Sequence, residues 1–289
     1  MKHLLSILLY LVAGAALGGS AWQYSDRVER SMVVTGTIEV DPEGAVRSYT
    51  LDQQNKLLPE IVQLIARTVP TWKFKPIVGG KSPVTATMSI RVIADKLEGD
   101  RYALSIKGES FGTLGDRSDG QPNYRDKSAT PRYPHEALRR AAGAVVYVAA
   151  FVNRQGLVEK VGAMQVDLRA MDYLENEAEL DRLRKDFAQA SLEAIAKWTF
   201  NIPYSGPYAD ADHWIVRIPV NFQIVFKGKE RADIPYGYWD AYVPGPVNRI
   251  SWVESDNRTA PGSADAIPDN GIAFLDDRRF VLLNPPSDG

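Results

Sequence analysis

Three histidines and scattered carboxylates are the side chains with which this chain could perform acid–base or metal chemistry. His213 follows Asp210 and Asp212, which could make a weak metal site, although a solvated hairpin explains the same pattern. His135 and His213 both lack a Ser-centred elbow, a His-x-x-x-His pair or a phosphate loop nearby. The chain has no cysteine, which excludes disulfides, thiolate nucleophiles and Cys-based zinc sites. We therefore predict no catalytic residue, metal site or cofactor; an envelope enzyme using either histidine is the alternative.

Charge and composition narrow the class of partner. The chain has 34 Lys and Arg residues and 36 Asp and Glu residues, which gives a formal net charge of −2. A chain so nearly balanced has no general electrostatic attraction for nucleic acid or for an anionic membrane surface. With 45% apolar and 24% charged residues, it has the composition of a folded globular protein.

The N-terminus has the pattern of an export signal. Lys2 precedes an apolar run over residues 4–17, and small residues ending at Ala21 follow that run. This order predicts a signal peptide over residues 1–21. An exported chain without cysteine favours a bacterial envelope over a eukaryotic secretory route, so we expect the mature protein in the periplasm. The alternative is an anchor retained in the inner membrane, although such an anchor needs about 20 apolar residues.

An internal repeat organises the rest of the chain. Asp41 and Gly44 have counterparts in Asn153 and Gly156, and each pair is typical of a tight hairpin in which Asx starts the turn and glycine takes a positive φ. A tryptophan follows the glycine after 28 residues in the first copy and after 42 in the second. The second copy therefore carries an insertion, most simply a longer helix.

Periodicity assigns the elements of each copy. Alternating apolar residues over 34–40 predict a strand with one buried face. Apolar residues at helical spacing over 58–69 predict a helix with Pro59 near its start, and alternation over 84–92 and 214–222 predicts closing strands. Each copy thus contains strand, hairpin, strand, helix and strand. The predicted fold class is α+β, with an antiparallel sheet packed on helices.

The helical segments are expected to pack on their own sheets. Between Asp172 and Trp198, apolar residues recur at three- and four-residue steps with charged residues between them, as in an amphipathic helix. Trp72 and Trp198 stand at the same place in the two copies, just after the helix, which favours core packing over a role in sugar stacking.

Two segments lie outside the repeats, which span residues 31–95 and 130–226. Residues 96–129 are rich in Gly, Asp and Ser and are predicted to be a linker, with a possible extra strand over 102–106. Residues 227–289 contain 7 Pro and 6 Gly among several aromatic residues, which predicts an irregular C-terminal extension. The extension either wraps back over the domains or offers an aromatic surface to a glycan or protein, and residues 272–275 and 280–283 could form a terminal hairpin.

The second copy resembles the C-terminal domain of the TonB family of bacterial envelope proteins. The resemblance lies in Pro131-Arg132-Tyr133-Pro134, in the hairpin over residues 152–158 and in the helix ending SLEAIAKWTFNIP over 191–203. The first copy shares the hairpin, residues 72–76 and the closing strand. The resemblance implies two tandem TonB C-terminal-like modules, the first one degenerate.

The family's energy transducers carry a His within a membrane helix and a long Pro-rich spacer, and this chain departs from both features. His3 precedes the apolar run, and only residues 22 to about 32 separate that run from the first copy. Eleven extended residues reach about 38 Å, which is a short tether for crossing an envelope. The expected function is therefore a periplasmic adaptor that binds protein or peptide, and an anchored energy transducer is the alternative.

Partner binding is expected by strand addition, because an exposed sheet edge offers unpaired N–H and C=O groups to an extended peptide. The candidate edge is residues 215–226, where Pro219 either marks the edge or blunts it. Tyr133 is carried over from the family as a contact, or else packs over the core. The partner would be a protein or peptide, such as an outer-membrane transporter segment, or a second copy. The predicted partner-binding residues are Pro131, Tyr133, Pro134, Ile215, Arg217, Pro219, Asn221 and Gln223.

Overall fold

The computed structural model describes residues 7–10, 27–77, 82–97, 101–113, 123–169, 176–205, 208–224, 234–256, 263–268, 271–274 and 280–285. Over these residues the protein is a strand-rich α+β fold with one long antiparallel sheet, which confirms the predicted class. The elements are β1 (Ile7–Tyr10), β2 (Glu29–Val40), β3 (Val46–Leu51), α1 (Pro59–Thr68), β4 (Val84–Lys96), β5 (Arg101–Thr113), β6 (Asn123–Asp126), α2 (His135–Arg139), β7 (Gly143–Asn153), β8 (Val158–Arg169), α3 (Glu177–Ile195), β9 (Thr199–Asn201), β10 (His213–Phe222), β11 (Asp240–Val243), α4 (Ser251–Glu254) and β12 (Ala273–Phe274).

The first half of the sheet is built around β2, which pairs antiparallel with β3 and with β4. Its buried residues alternate, as the period of two predicts, and include Val34 and Ile38. Pro59 occupies the first turn of α1, where its missing N–H leaves no helical hydrogen bond unmade. The helix buries Ile61 and Ile65 against this sheet.

The second half repeats this arrangement around β7, which pairs with β8 and with β10. Asn176 caps α3, its side-chain oxygen accepting the N–H of Glu179 at 3.2 Å. The helix packs Leu180 and Phe187 into the core beneath it. The two halves therefore share both their element order and their strand order.

The hairpins show why glycine stands at the same place in both halves. Gly44 has a φ of 89° and Gly156 a φ of 76°, a region that L side chains rarely adopt. A Cβ there would lie 2.1 Å from the carbonyl oxygen of Phe74 and 2.0 Å from that of Phe200, respectively. The Asx side chain that begins each turn accepts the N–H of the residue after the glycine, at 2.7 Å and 3.0 Å.

The insertion in the second half is distributed over two elements. Helix α3 has 19 residues and α1 has 10, so the prediction of a longer helix is confirmed. Strand β8 has 12 residues where β3 has 6. The extra length of β8 carries it to β11, where Leu168 and Arg169 pair.

Residues 96–129 are not mainly a linker, and that expectation was wrong over β5. This strand has 13 residues and pairs with β4 along its length, well beyond the predicted residues 102–106. Gly108, which made the segment look irregular, lies under the C-terminal extension, where a Cβ would approach the Cβ of Ser263 to 2.2 Å. Farther along, β6 pairs with β9 in a separate two-stranded sheet.

A short strand joins the two halves into one sheet. Strand β11 makes three residue pairs with β2 and two with β8. The order is β1-β5-β4-β2-β11-β8-β7-β10-β12, with β3 beside β2. An ion pair between Arg169 and Asp240 reinforces the junction.

In each half, one face of the sheet is covered by the long helix of that half, α1 or α3. The opposite faces meet, because Arg91 on β4 donates to the hydroxyl of Tyr147 on β7 at 3.1 Å. Arg217 on β10 likewise donates to Ser110 on β5 at 2.5 Å. We call the space between these two faces the interhalf cleft; Arg91, Ser110, Tyr147, Asp167 and Arg217 line it.

The C-terminal extension wraps back over the protein in its described parts, as the first of the two alternatives proposed. Ala264 and Ile267 pack on Val145 and Tyr147 in the second half. Phe280 joins the core of the first half, where its ring meets Phe74 edge to face at 6.2 Å. Because these side chains of the extension are buried in both halves, the extension is part of the fold.

The predicted terminal hairpin is wrong, because its two arms belong to different halves. Ala273 pairs with Arg217 on β10, and Leu282 bridges to Phe74 beside the first hairpin. Local alternation suggested the strands, yet their partners lie far away in the sequence.

Part of the N-terminal apolar run lies at the far edge of the sheet, where Ile7–Tyr10 pairs antiparallel with residues 101–104 of β5. Residues 1–6 and 11–26 lie outside the described residues, so cleavage after Ala21 stays a prediction. Within the described ranges there is no helix with the length and apolarity to span a bilayer.

Candidate functional site

Strand β10, the predicted docking edge, lies near one end of the sheet. It pairs with β7 from His213 to Phe222 on one side. On its other side the two residues of β12 pair with Val216 and Arg217. Residues 225 and 226, the end of the predicted edge, lie outside the described part of the chain.

The predicted contact residues on β10 differ in exposure. Ile215 is fully buried among Ala149 and the segment around α4, and Arg217 is 2% exposed. Pro219 is also buried, whereas Asn221 and Gln223 are partly exposed. Strand alternation predicted one outward face for β10, but the C-terminal extension covers that face. The edge itself is occupied by β12 at Val216 and Arg217, so a partner strand that paired there would have to take the place of β12.

The Pro131–Pro134 segment lies over the second core. The hydroxyl of Tyr133 donates to the carbonyl of Ala142 at 2.7 Å. Its ring meets Phe222 edge to face at 5.5 Å, and burial raises the pKa of its phenol. The structure thus places Tyr133 in core packing, while Pro131 and Pro134 beside it are partly exposed.

The two histidines considered for chemistry lie in different surroundings. His135 is exposed at the start of α2. The Nε2 atom of His213 lies 2.6 Å from the carboxylate of Asp256, and its ring stacks on Phe151 at 4.1 Å. Sequence reasoning missed this carboxylate because Asp256 lies 43 residues farther along the chain. Among the described residues there is no group of three or more His, Asp and Glu placed to hold a metal ion.

The interhalf cleft holds a buried charge cluster centred on Arg91. Its Nε donates to the carbonyl oxygen of Asp265 at 2.7 Å and its Nη2 donates to the same oxygen. Its Nη1 donates to the hydroxyl of Ser31 at 2.5 Å. The Asp265 carboxylate lies 3.4 Å from Nε in an ion pair whose two side chains are 2% and 1% exposed.

Arg217 binds the same tail segment from the other half. Its Nη1 donates to the carbonyl oxygen of Ser263. The Ser263 hydroxyl in turn donates to the Asp265 carboxylate at 2.5 Å. The Ser263 N–H donates to the backbone carbonyl of Glu109 on β5 at 3.2 Å. Two buried guanidinium groups, one from each half, therefore donate hydrogen bonds to the backbone of residues 263–265 of the extension.

Burial and neighbouring charges shift the protonation of this cluster. Burial lowers the pKa of Arg217 to about 10, so the group stays charged at neutral pH. Burial lowers the pKa of Arg91 as well, but the ionisable side chains around it, chiefly Tyr147 and Asp265, raise it more and the net shift is upward. Burial would raise the pKa of Asp265, yet Arg91 holds it below its ordinary value.

Asp167 on β8, a buried acid of the cleft, is driven toward its neutral form. Burial, together with the negative charge of Asp265, raises its pKa to about 7 in spite of Arg91. Its Oδ1 accepts from Gln165 at 2.9 Å and from the N–H of Gly245 at 3.0 Å. The cleft therefore contains a carboxyl group that titrates near neutral pH.

Sequence reasoning missed most of this cluster. Arg91 and Asp167 occupy the polar phase of alternating strands, which normally faces water, and Asp265 lies in a Pro- and Gly-rich tail. Arg91 and its partner Asp265 are 174 residues apart in the sequence, so no local pattern indicates that they meet. The only available signal was a charged side chain inside a strongly apolar strand.

No family model, curated protein or solved structure matches the chain. The fold and the cleft define an α+β protein of two like halves that grip their own C-terminal segment. Function belongs to sites and not to folds, so the site geometry carries the proposals that follow.

Proposed function

We propose that the protein is an exported periplasmic adaptor that captures a protein or peptide by strand addition along β10. The observation that carries the proposal is the position of β10: in the described part of the chain, only the two-residue β12 is paired outside it. The resemblance to TonB C-terminal domains supports the same strand, since β10 corresponds to the closing strand of the second predicted module. The proposal includes the assignment of the two halves as tandem TonB C-terminal-like modules.

A partner strand would replace the chain's own terminal segment. Strand β12 pairs over two residues only, at Val216 and Arg217, whereas β10 pairs over ten with β7. Each additional ladder hydrogen bond contributes about 0.5–1.5 kcal/mol net. A longer strand would therefore compete with β12 for the same backbone groups.

An engineered disulfide that holds β12 on β10 tests whether a partner strand replaces β12; we call it the β10 lock. Val216→Cys with Phe274→Cys places two cysteines at directly paired positions, where an antiparallel Cα separation of about 4.5–5.5 Å suits a disulfide. The chain has no other cysteine. Peptides selected from a displayed library on the wild-type protein serve as probes, and their affinity is measured by fluorescence anisotropy. We expect the oxidised lock to bind about tenfold more weakly, or worse, than the reduced form.

A second disulfide provides the matched control. Thr37 and Thr50 are paired across β2 and β3, with their hydroxyl oxygens 2.6 Å apart, so Thr37→Cys with Thr50→Cys locks the other half. Oxidation of that variant should leave peptide affinity unchanged. Equal affinity of the oxidised and reduced β10 lock, or a library that yields no binding peptide, would argue against strand addition at this edge.

Export is tested separately by intact mass and fractionation in a Gram-negative host. The proposal expects a soluble periplasmic species that begins at Trp22, the residue after Ala21. A full-length species in the inner membrane would instead favour the anchored energy transducer, and co-purification with motor and transporter components would then be the next experiment.

A further inference from the structure

We propose that the interhalf cleft is a peptide-binding site that residues 263–268 occupy in cis, and that it accepts from a partner a tight turn of the same chemistry. The partner turn has serine at its first position, aspartate at its third and an aliphatic residue two positions later. This site differs from strand addition at β10, because it uses side-chain donors on the facing surfaces of the two halves and not the backbone groups of a sheet edge.

The bound segment is a turn recognised largely through its backbone. Ala266 donates its N–H to the carbonyl of Ser263 at 3.3 Å, which closes the turn. Arg217 donates to that same carbonyl, and Arg91 donates twice to the carbonyl of Asp265. Backbone recognition of this kind fixes the shape of the ligand.

Side chains of the segment supply the selectivity. The Asp265 carboxylate pairs with Arg91 at 3.4 Å and accepts the Ser263 hydroxyl at 2.5 Å. Ile267 and Ala264 pack on Val145 and Tyr147. A turn with one carboxylate and one aliphatic side chain therefore makes all of these contacts, and none of them needs a covalent connection to the cleft.

The cis segment leaves part of the site unsatisfied. In the described part of the chain, Nε of Arg217 and Oδ2 of Asp265 are buried and have no hydrogen-bond partner. A buried donor without an acceptor is costly, so a ligand with an additional acceptor near Arg217 would bind better than the chain's own segment.

Entry of a ligand requires the two halves to move apart at the cleft, which breaks the hydrogen bonds from Arg91 to Tyr147 and from Arg217 to Ser110. Within the sheet, β11 alone links them in the described residues, through three pairs with β2 and two with β8. Release of the segment would return both guanidinium groups to water, where a charged group is well solvated.

The test supplies the segment as a separate molecule to a full chain whose own copy is weakened. The probe is a fluorescent peptide of residues 261–270, PGSADAIPDN, and the receptor is Asp265→Ala, which keeps both arginines. A tethered segment competes at high effective concentration, so we expect the peptide to bind the variant about tenfold more tightly, or better, than wild type. It should also raise the lowered melting temperature of the variant.

Three comparisons make the result specific. A peptide in which the aspartate that corresponds to Asp265 is replaced by asparagine, and a scrambled peptide, should each bind about tenfold more weakly or worse. Arg217→Gln added to Asp265→Ala should reduce peptide affinity similarly. If Asp265→Ala does not fold, Asp265→Asn serves as receptor, since it keeps an oxygen for the Ser263 hydroxyl. A folded receptor that fails to bind the peptide at millimolar concentration, or binds the scrambled peptide equally, would overturn the proposal.

Discussion

The carboxyl group of Asp167 is buried beside Asp265 and Arg91, and its pKa is raised from 3.8 to about 7. An acid whose pKa is raised on folding holds its proton more tightly in the native state, so its stabilising contribution is lost as pH rises toward 7. Asp167→Asn should therefore remove about 2 to 3 kcal/mol of the loss in unfolding free energy between pH 5 and pH 8. Guanidinium denaturation at both pH values measures this difference.

The amide is a suitable replacement because Oδ1 of Asp167 accepts from both Gln165 and Gly245, and an asparagine oxygen can still do so. Asp210→Asn, at an exposed site, is the control and should leave the pH dependence unaltered. Identical pH profiles for wild type and Asp167→Asn would mean that this carboxyl group does not titrate in the folded protein near neutral pH.

Gly156 combines a φ of 76° with a backbone carbonyl where a Cβ would be. Gly156→Ala should therefore lower the unfolding free energy by about 2 kcal/mol or more, since strain adds to a direct clash. Gly44→Ala should act in the same direction in the first half. The exposed neighbouring change Gln155→Ala should stay within about 0.5 kcal/mol of wild type, and a Gly156→Ala protein as stable as that control would refute this account of the hairpin.

The hairpin glycines could be predicted from the sequence, whereas the cluster of cleft arginines could not. The Asx-x-x-Gly spacing predicted both hairpin glycines, because turn chemistry is local. The arginines of the cleft were not predicted as a cluster, because their partners are two carbonyls in a tail segment remote in sequence. Arg217 was expected at the docking edge, and the structure places it on the buried side of that strand.

The elements of both halves could be predicted because each shows its own periodicity. Strands β2 and β4 and helix α1 lie where alternation and helical spacing placed them. Strand β5 was underpredicted because Gly108 and Gly112 interrupt its pattern, and each accommodates a close neighbour in the folded protein. The partners of β11 and β12 depend on pairing across the whole chain, which no local pattern encodes.

The terminal segment at residues 280–285 is expected to stabilise the first half. Phe280 is 2% exposed and packs in that core, so Phe280→Ala should lower the unfolding free energy by about 3 kcal/mol. Leu283→Ala is the matched control, because Leu283 is 56% exposed and should cost about 0.5 kcal/mol or less. Chemical denaturation compares the two, and equal small losses would show that this segment is not part of the core.

The molecule as a whole has two like halves, with α1 and α3 on the outer faces of the sheet and the opposite faces turned toward each other. Its C-terminal extension joins the halves through β11, fills the interhalf cleft and reaches the outer side of β10. The same chain that completes the fold thus occupies both proposed binding sites, and partner binding at either one must displace part of it. Composition predicted an irregular tail, but the long-range contacts that give it this role could not be predicted from the sequence.

Hydrogen exchange measured by mass spectrometry, with and without a peptide selected on the protein, tests strand addition at β10 most directly. We expect the peptide to raise exchange over residues 271–274, because β12 is displaced, while residues 213–222 stay protected by a new strand. Residues 101–113 at the other end of the sheet should not change. Protection gained along β5 instead, with residues 271–274 unchanged, would contradict capture of the partner at β10.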